Sequence, residues 1–331
     1  MKKRNKSLIL FCALMFSLVF SLQGCSQEES SNQEPLVWTT GDDESSTDNN
    51  DTGGETNEGA ENPSGDTTGD NQEDSSFILP NINLENWKVT LPVGDNGRPT
   101  EVEPPAILEY ATNQTLLPFM YNDSIDGSLV FYTYPGATTR NSTRSRTELR
   151  EQMVPGSNST NWTFKQGGRM KGVMAMEEIS RAENGSYHRT IIMQIHGRLT
   201  NEQRDLIGED DNNAPPVLKI YWQNGIVRVK SKILKDENAT GESILYTDAW
   251  TDDEGFNFSE RVDYNKFSLE VIASEGRMEV ILNDNESVVF TGTSMDKWGV
   301  FENYFKAGNY LQTTDEGAFA RVKMYELEVN H

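Results

Sequence analysis

Four residue types in three short segments of the chain could together bind an anion and move a proton. Arg146 offers a planar guanidinium, which can hold a carboxylate through two charge-assisted hydrogen bonds. His196 offers an imidazole that is largely neutral near about pH 7 and can then accept a proton. Tyr304 keeps its phenolic proton up to a reference pKa of about 10 and can donate it. Gln194 adds a neutral amide two residues before the histidine.

The elements that must position these side chains are β-strands, in which side chains alternate between two faces. In residues 146–150 the three charged side chains share one face, opposite a threonine and a leucine. In residues 191–196 the glutamine and the histidine lie opposite three apolar side chains. Residues 304–312 divide in the same way, with Tyr304, Lys306, Gly308, Tyr310 and Gln312 on the polar face. Each pattern predicts a strand with one face in a core and the other available for binding.

These segments resemble the signature strands of the alginate lyases of polysaccharide lyase family 7, which read R-x-E-L-R, Q-I-H and Y-F-K-A-G-x-Y-x-Q. All three occur here in that order, and residues 87–92 resemble the family's first strand. The resemblance covers residues 77–331. It implies a lyase that removes the C5 proton of a uronic acid and expels the 4-O-linked sugar. The substrate implied is alginate, and the products are unsaturated oligouronates or monouronates.

The resemblance also assigns catalytic roles. It implies that Arg146 and Gln194 bind and neutralise the uronate carboxylate, that His196 is the base, and that Tyr304 is the acid. For the epimer whose C5 hydrogen faces the other way, Tyr304 could serve as both base and acid. A tyrosine base needs nearby cations to lower its pKa, and Lys306 on the same strand face could supply one. This scheme requires neither a metal nor a cofactor.

Five further residues on these faces are expected to contact the substrate or to support residues that do. Glu148 is interpreted as the partner that holds the guanidinium groups of Arg146 and Arg150. For Tyr310, sugar stacking and an ordinary strand position both remain open, and Gln312 is either a subsite hydrogen-bonding residue or a support for the tyrosine. The substrate-binding set is Arg150, Lys306, Tyr310, Gln312 and Glu148.

After residue 77 the sequence consists of many short strand-like runs separated by turn signals. Asn224-Gly225, between residues 218–222 and 226–233, is a strong two-residue hairpin signal. The pattern predicts an all-β, antiparallel two-sheet β-sandwich jelly roll with a concave substrate-binding sheet. Polar residues 137–144 and 198–216 are expected to form loops over that sheet, and short helical turns are expected at 105–110 and 201–207.

The N-terminal quarter has the pattern of an export signal followed by a tether. Basic residues 2–6 and the apolar run 8–22 predict a signal peptide at 1–24, although a single membrane anchor remains an alternative. Leu22-Gln23-Gly24-Cys25 resembles a bacterial lipobox, which implies lipidation of Cys25 and a lipid anchor in the outer membrane. Residues 25–76 have the composition of a disordered acidic tether. An acidic run after the cysteine also resembles surface-export signals of some Gram-negative lipoproteins.

The charge of the chain is strongly negative but unevenly distributed. Of the formal net charge of -23, fifteen acidic residues fall within 26–76, where no Lys or Arg occurs. The remaining chain can therefore bind a polyanion if its cations are gathered in one cleft. The sequence contains no basic stripe and no recognisable nucleic-acid-binding motif. Cys12 and Cys25 are the only cysteines, so residues 77–331 offer no disulfide and no cysteine nucleophile. We expect a monomer.

Two other functions fit a β-sandwich. A glycoside hydrolase needs two carboxylates about 5–5.5 Å apart for retention, and the signature strands carry only Glu148. A non-catalytic carbohydrate-binding module would explain the polar face but not the matching acid and base. Ile195 resembles family members that favour guluronate-containing blocks, whereas endolytic and exolytic cleavage both remain open.

Overall fold

The computed structural model describes residues 80–331 of the 331-residue chain. The predicted signal peptide (1–24), the lipidation site Cys25, the acidic tether (25–76) and the first three residues of the predicted domain (77–79) lie outside the described residues. Within 80–331, no helix has the length and apolar character needed to cross a membrane. In the same range, no three or more His, Cys, Asp or Glu side chains are grouped so as to hold a metal ion.

Eighteen strands and a few short helices make up the described part of the chain. The helices are α1 (Asn201–Ile207), α2 (Thr293–Trp298) and the 3-10 helices Ala106–Glu109, Gly241–Ile244 and Thr247–Ala249. The strands are β1 (Asn81–Ile82), β2 (Trp87–Thr90), β3 (Glu101–Val102), β4 (Met120–Asn122), β5 (Leu129–Thr133), β6 (Arg146–Glu151), β7 (Trp162–Thr163), β8 (Gly168–Ile179), β9 (Arg189–Arg198), β10 (Asn213–Gln223), β11 (Ile226–Leu234), β12 (Trp250–Asp252), β13 (Phe256–Arg261), β14 (Phe267–Ser274), β15 (Arg277–Leu282), β16 (Glu286–Phe290), β17 (Glu302–Leu311) and β18 (Ala320–Asn330).

The strands form two sheets, which confirms the predicted β-sandwich. One sheet has eight strands, in the order β16-β15-β14-β8-β18-β5-β4 with β1 added beside β18. The other has ten, in the order β12-β11-β10-β9-β17-β6-β2-β3 with β13 and β7 added beside β11 and β17. Every pairing is antiparallel except that of β1 with β18. Apolar residues from both sheets bury one continuous core between them.

The three signature segments become neighbouring strands in the middle of the ten-stranded sheet. β17 lies between β9 and β6, so residues far apart in sequence stand side by side. Across β9 and β17, Tyr304 pairs with His196 and Lys306 pairs with Gln194. Across β17 and β6, Tyr310 pairs with Arg146. Because side chains alternate, each pair projects from the same face of the sheet.

The apolar partners of these residues point the other way, as the two-residue period predicts. Leu149, Met193, Ile195, Phe305 and Ala307 are fully buried and belong to the core. The alternation therefore anchors each strand by its apolar face and leaves the opposite face for the polar side chains.

Local sequence signals account for the connections that frame this sheet. The Asn224-Gly225 hairpin is present between β10 and β11, with both residues at positive φ (53° and 77°), as a tight two-residue turn requires. Helix α1 begins with a capping box in which Thr200 and Gln203 bond reciprocally, and it ends at the left-handed Gly208.

The predicted loop 198–216 is wrong at its end. β9 continues to Arg198 and β10 begins at Asn213, so Pro215 and Pro216 lie within a strand. Proline cannot donate a ladder hydrogen bond and is tolerated in a sheet where the ladder is broken. The pairing of β10 with β9 shifts register on both sides of Pro216, which is the irregularity that accommodates it.

Candidate functional site

A cleft of about 450 Å³ lies on the polar face of the ten-stranded sheet. Its lining includes residues from all three signature strands, from β2, β3 and β10, and from the loop before β6. The residues predicted for the site that line it are Arg146, Arg150, Gln194, His196, Tyr304, Lys306, Tyr310 and Gln312. Their convergence follows from the strand order β9-β17-β6 and from the shared face of each strand.

Glu148 lies beneath this surface as the anion around which the cations are arranged. Its side chain is 1% exposed and is absent from the cleft lining. One oxygen accepts a hydrogen bond from Gln194 Nε2 at 2.5 Å, and the other contacts Arg146 Nη1 at 2.9 Å and Lys306 Nζ. Burial opposes ionisation of Glu148, but Lys306 and Arg146 outweigh it and hold the pKa of this carboxyl below its usual range. Glu148 is therefore placed to orient three cleft residues and does not itself face the cleft.

Glu148 holds only one of the two guanidinium groups assigned to it, and the expectation for Arg150 is corrected. Arg150 donates to the loop that follows β6, with bonds of 3.0–3.1 Å to Asn158 and Asn161 and a bond of 3.0 Å to the Glu151 carbonyl. The guanidinium carbon also lies 4.1 Å from the centroid of the Tyr304 ring. Arg150 thus ties the loop to the sheet and supports the tyrosine from one side.

The base and acid candidates stack on each other. The rings of His196 and Tyr304 are 5.2 Å apart and 12° from parallel, and both side chains are half-buried. His196 Nδ1 lies 2.9 Å from the Gly197 carbonyl oxygen, which can only accept, so Nδ1 carries the proton. The lone pair of Nε2 is consequently free to accept a proton from a ligand in the cleft.

The surroundings keep these groups in defined protonation states. Burial, together with the charges of Lys306 and Arg146, lowers the pKa of His196 to about 3, so the imidazole is neutral over the working range. Burial raises the pKa of Tyr304, although Arg150 and Arg146 oppose it, so the phenol keeps its proton. Burial and the neighbouring Arg146 lower the pKa of Lys306 to about 8.

Tyr310 and Gln312 occupy the end of the cleft farthest from His196 along β17. The Tyr310 ring lies under the Arg146 guanidinium at 3.7 Å, and its hydroxyl is 2.6 Å from the Ser142 hydroxyl. Gln312 Nε2 donates to the Tyr310 carbonyl at 3.1 Å. Tyr310 thereby fixes Arg146 and joins the sheet to the loop that precedes β6.

Several cleft residues lie outside the signature segments, and sequence reasoning did not find them. Lys88 on β2 is 5% exposed and ion-paired with Glu101 at 2.6 Å, and Lys219 on β10 is paired with Asp252 at 2.5 Å. Tyr221 lies on the same face as Lys219, and burial raises its pKa to about 12. The alternation within 218–222 was the only sequence signal for Lys219 and Tyr221. Their presence in the cleft depends on the pairing of β10 with β9, which the local sequence does not encode.

Two loops meet above the polar face. Arg140, before β6, contacts Asp210 at 2.9 Å, and the neighbouring Asn141 donates to Asp211 at 3.1 Å. The loop before β6 enters at the Tyr310 end of β17, whereas the loop between β9 and β10 leaves at the Glu302 end. The contacts therefore run across the cleft, and Arg140 and Asn141 line it.

Comparison with known proteins agrees with this geometry. Residues 82–331 match the family model described as alginate lyase. No match was found among curated protein sequences. A solved structure of the family 7 alginate lyase A1-II', with a Tyr-to-Phe substitution and in complex with product (GGG), is 28% identical, with a TM-score of 0.58. That match covers 76% of this chain and 97% of the other.

Two further solved structures extend the comparison. A1-II' with His-to-Asn and Tyr-to-Phe substitutions, in complex with substrate (GGMG), is 26% identical with a TM-score of 0.56, covering 76% of this chain and 94% of that one. An alginate lyase from Pseudomonas aeruginosa is 21% identical with a TM-score of 0.55, covering 76% and 100%, and shows the likeness of the fold. From the family match over residues 82–331, together with the two-sheet fold, we conclude that the chain belongs to the alginate lyases of polysaccharide lyase family 7.

Proposed function

We propose that this chain cleaves alginate by β-elimination in the cleft between β9, β17 and β6. The observation that carries the proposal is the stacked pair of His196 and Tyr304, a neutral acceptor beside a protonated donor, in one cleft with Arg146 and Gln194. Family membership supports the same reaction class. The relative A1-II' binds the substrate (GGMG) and the product (GGG) in its crystal structures.

The first requirement is neutralisation of the uronate carboxylate. Removal of the neighbouring C5 proton builds negative charge on a group that is already anionic, so cations must offset it. Arg146 lines the cleft and brings a guanidinium that can offset this charge. Gln194 and Lys306 stand beside it, both oriented by Glu148.

The second requirement is a base. His196 presents Nε2 because Nδ1 is bonded to the Gly197 carbonyl. Lys306 and Arg146 are two of the causes that lower the pKa of His196 in the free protein. A bound uronate carboxylate would offset their charge and so raise the basicity of His196 when a substrate is present.

The third requirement is an acid for the leaving 4-oxygen. The raised pKa of Tyr304 keeps its proton available and disfavours the alternative in which Tyr304 is the base. Lys306 was the expected cation for that alternative. Its ammonium contacts Glu148, and the cation over the Tyr304 ring is Arg150. We therefore propose a base and an acid on separate residues.

We propose a preference for guluronate-containing blocks on narrower grounds. Ile195, the residue shared with family members that favour such blocks, is fully buried and faces the core. It can act on the substrate only through the positions of Gln194 and His196. Initial rates on polyguluronate, polymannuronate and mixed blocks test this preference, and faster cleavage of polymannuronate would contradict it.

The experiment that tests the reaction is incubation of the purified protein with alginate. β-Elimination gives a rise in the ultraviolet absorbance of an unsaturated uronate together with new reducing ends, and we expect both. A glycoside hydrolase gives reducing ends without that absorbance, and a binding module gives neither. Glu101 is the only carboxylate that lines the cleft among the described residues, which disfavours a two-carboxylate hydrolase.

A further inference from the structure

The strand that carries Tyr304 changes neighbours at that residue. β17 pairs with β6 from Lys306 to Tyr310 and with β7 at Glu302 and Asn303. Tyr304 and Phe305 fall between these two ladders, so the backbone on this edge has no partner strand there. A buried backbone N–H without a partner costs free energy comparable to a lost hydrogen bond.

Glu151, the last residue of β6, fills this gap with its side chain. Its Oε2 accepts the Phe305 backbone N–H at 2.9 Å and the Trp162 indole N–H at 3.1 Å. The carboxylate therefore joins β17 to the first residue of β7. Glu151 is 4% exposed, and a buried carboxylate is tolerated only when it is well paired and hydrogen-bonded.

His331 completes the pairing of this carboxylate. Its Nε2 lies 2.6 Å from Glu151 Oε1, and its Nδ1 lies 3.2 Å from the Gly167 carbonyl oxygen. Both ring nitrogens thus face acceptors, an arrangement that the doubly protonated ring satisfies. Burial lowers the pKa of His331, but the hydrogen bond and charge of Glu151 outweigh it and raise the pKa above its usual value.

The histidine ring is also held by packing. It lies 5.4 Å from the Trp162 ring and is stacked on Phe305 at 5.9 Å. A second cleft of about 570 Å³ reaches this pair, and the charged residues among its lining are Glu151, Glu328 and His331. None of the described residues that line the cleft containing Tyr304 lines this second one.

We infer that Glu151 and His331 are positioning residues that fix the backbone beside Tyr304 and so hold its ring against His196. This inference rests on the proposed function. Phe305 is bonded in sequence to Tyr304 and Lys306, so a displacement of its N–H moves both. A misplacement of roughly 1 Å can cost about a hundred-fold in rate.

Glu151→Ala and Glu151→Gln separate this role from general stability. The alanine variant removes the acceptor for Phe305, and we expect kcat per folded molecule to fall at least about ten-fold while KM changes little. The glutamine variant keeps an oxygen for the two N–H donors and offers an amide N–H to a neutral His331, so we expect it to restore most of kcat. His331→Ala leaves Glu151 buried without its cation, and we expect an intermediate loss of kcat.

His188→Ala is the matched control, because His188 is another histidine with a carboxylate partner, Asp315, at 2.9 Å, and it does not contact β17 at Phe305. We expect it to lower the melting temperature without lowering kcat. Wild-type kcat in Glu151→Ala, or an equal kcat loss in His188→Ala, would overturn the inference.

Amide hydrogen exchange at Phe305 gives a readout that does not depend on catalysis. We expect protection of this amide to be lost in Glu151→Ala and kept in Glu151→Gln. If the wild type released no unsaturated product while this exchange pattern held, the proposed function would fail and the anchoring would stand. Unchanged protection of Phe305 in Glu151→Ala would overturn the anchoring itself.

Discussion

Glu148 determines how the cleft presents its positive charge. Two cations and one amide converge on a carboxylate that is almost fully buried, and its negative charge offsets the repulsion between Arg146 and Lys306. The motif R-x-E-L-R thus contains both a cleft-lining cation, Arg146, and its counter-ion. Their alternation on the strand puts them on one face, and the short glutamate side chain leaves its anion below the surface.

We expect Glu148→Gln to lose part of this hydrogen bonding, because its amide nitrogen cannot accept from Gln194, Arg146 or Lys306, and to leave the two cations unneutralised. Removal of one partner from a buried ion pair typically costs about 3–5 kcal/mol, so the free energy of unfolding should fall by that order. Denaturant unfolding measures it. The control is Asp210→Asn, whose side chain is 82% exposed and pairs with the exposed Arg140, and we expect its effect to be much smaller. Equal stability of wild type and Glu148→Gln would contradict this assignment.

The alkaline limb of activity is expected to follow Lys306. The pKa of this amine is lowered to about 8, so its positive charge is present below that pH and is lost as the pH rises through it. We therefore expect kcat/KM, which reports the free enzyme, to fall above about pH 8. Lys306→Met should have a lower kcat/KM at neutral pH and no such limb. A wild-type profile that stays flat well above this pH would contradict the expectation.

The fall of kcat/KM towards acid pH should not come from protonation of His196. Its pKa is lowered to about 3, so its neutral form persists far below neutral pH. The sequence alone predicted a neutral imidazole from its ordinary pKa, and the structure gives a further reason for that neutrality in burial and adjacent cations. No local pattern around Q-I-H carries that information, because the cations come from β6 and β17.

At the scale of elements, the alternation of side chains along each strand predicted which residues share the polar face. The pairing of the strands determines which of those residues meet. The faces of 146–150, 191–196 and 304–312 could be read from a two-residue period. The contact of Glu148 with Lys306 depends on the order β9-β17-β6, and the bonds of Arg150 depend on the fold of the loop at 155–161. The link from Glu151 to His331 spans 180 residues and has no sequence signature.

The loops above the cleft are expected to control access by long polymers. Arg140 and Asp210 are highly exposed, and exposed ion pairs contribute little, so a polyanion can displace them. We expect the double variant Asp210→Asn with Asp211→Asn to raise kcat/KM for polymeric alginate relative to short oligomers by no more than a few-fold. If the bridge between the two loops did not restrict the cleft, the double substitution would leave this ratio of kcat/KM values unchanged. An unchanged ratio would therefore show that the bridge does not limit entry.

At the scale of the whole molecule, the negative and positive charges are concentrated in different places. The net charge of -23 argues against a polyanionic substrate only if it is spread evenly. Seven Lys or Arg line the cleft against a single carboxylate, Glu101. Charges farther away than about 8–10 Å are largely screened at physiological salt, so the local field of the cleft decides binding. Composition predicted that the cations had to be gathered, whereas the fold determines where.

Anchoring through Cys25 remains a proposal based on the lipobox resemblance. We expect mass spectrometry of the mature protein to find a lipidated Cys25 as the first residue. Cys25→Ser should release the enzyme from membrane fractions without changing its activity in vitro, because Cys25 lies outside the residues that build the cleft. An unmodified Cys25 in membrane-extracted protein would contradict the proposal.

The most direct measurement is the rate of unsaturated uronate release per folded molecule in His196→Ala and Tyr304→Phe. Removal of a general base or acid typically costs about 10²–10⁴-fold, and we expect each variant to lose activity on that scale with a melting temperature near wild type. His188→Ala and Tyr325→Phe, which change hydrogen-bonded side chains outside the cleft, should keep wild-type rates. Near-wild-type release by His196→Ala and Tyr304→Phe would contradict the central claim that this stacked pair carries the proton transfers.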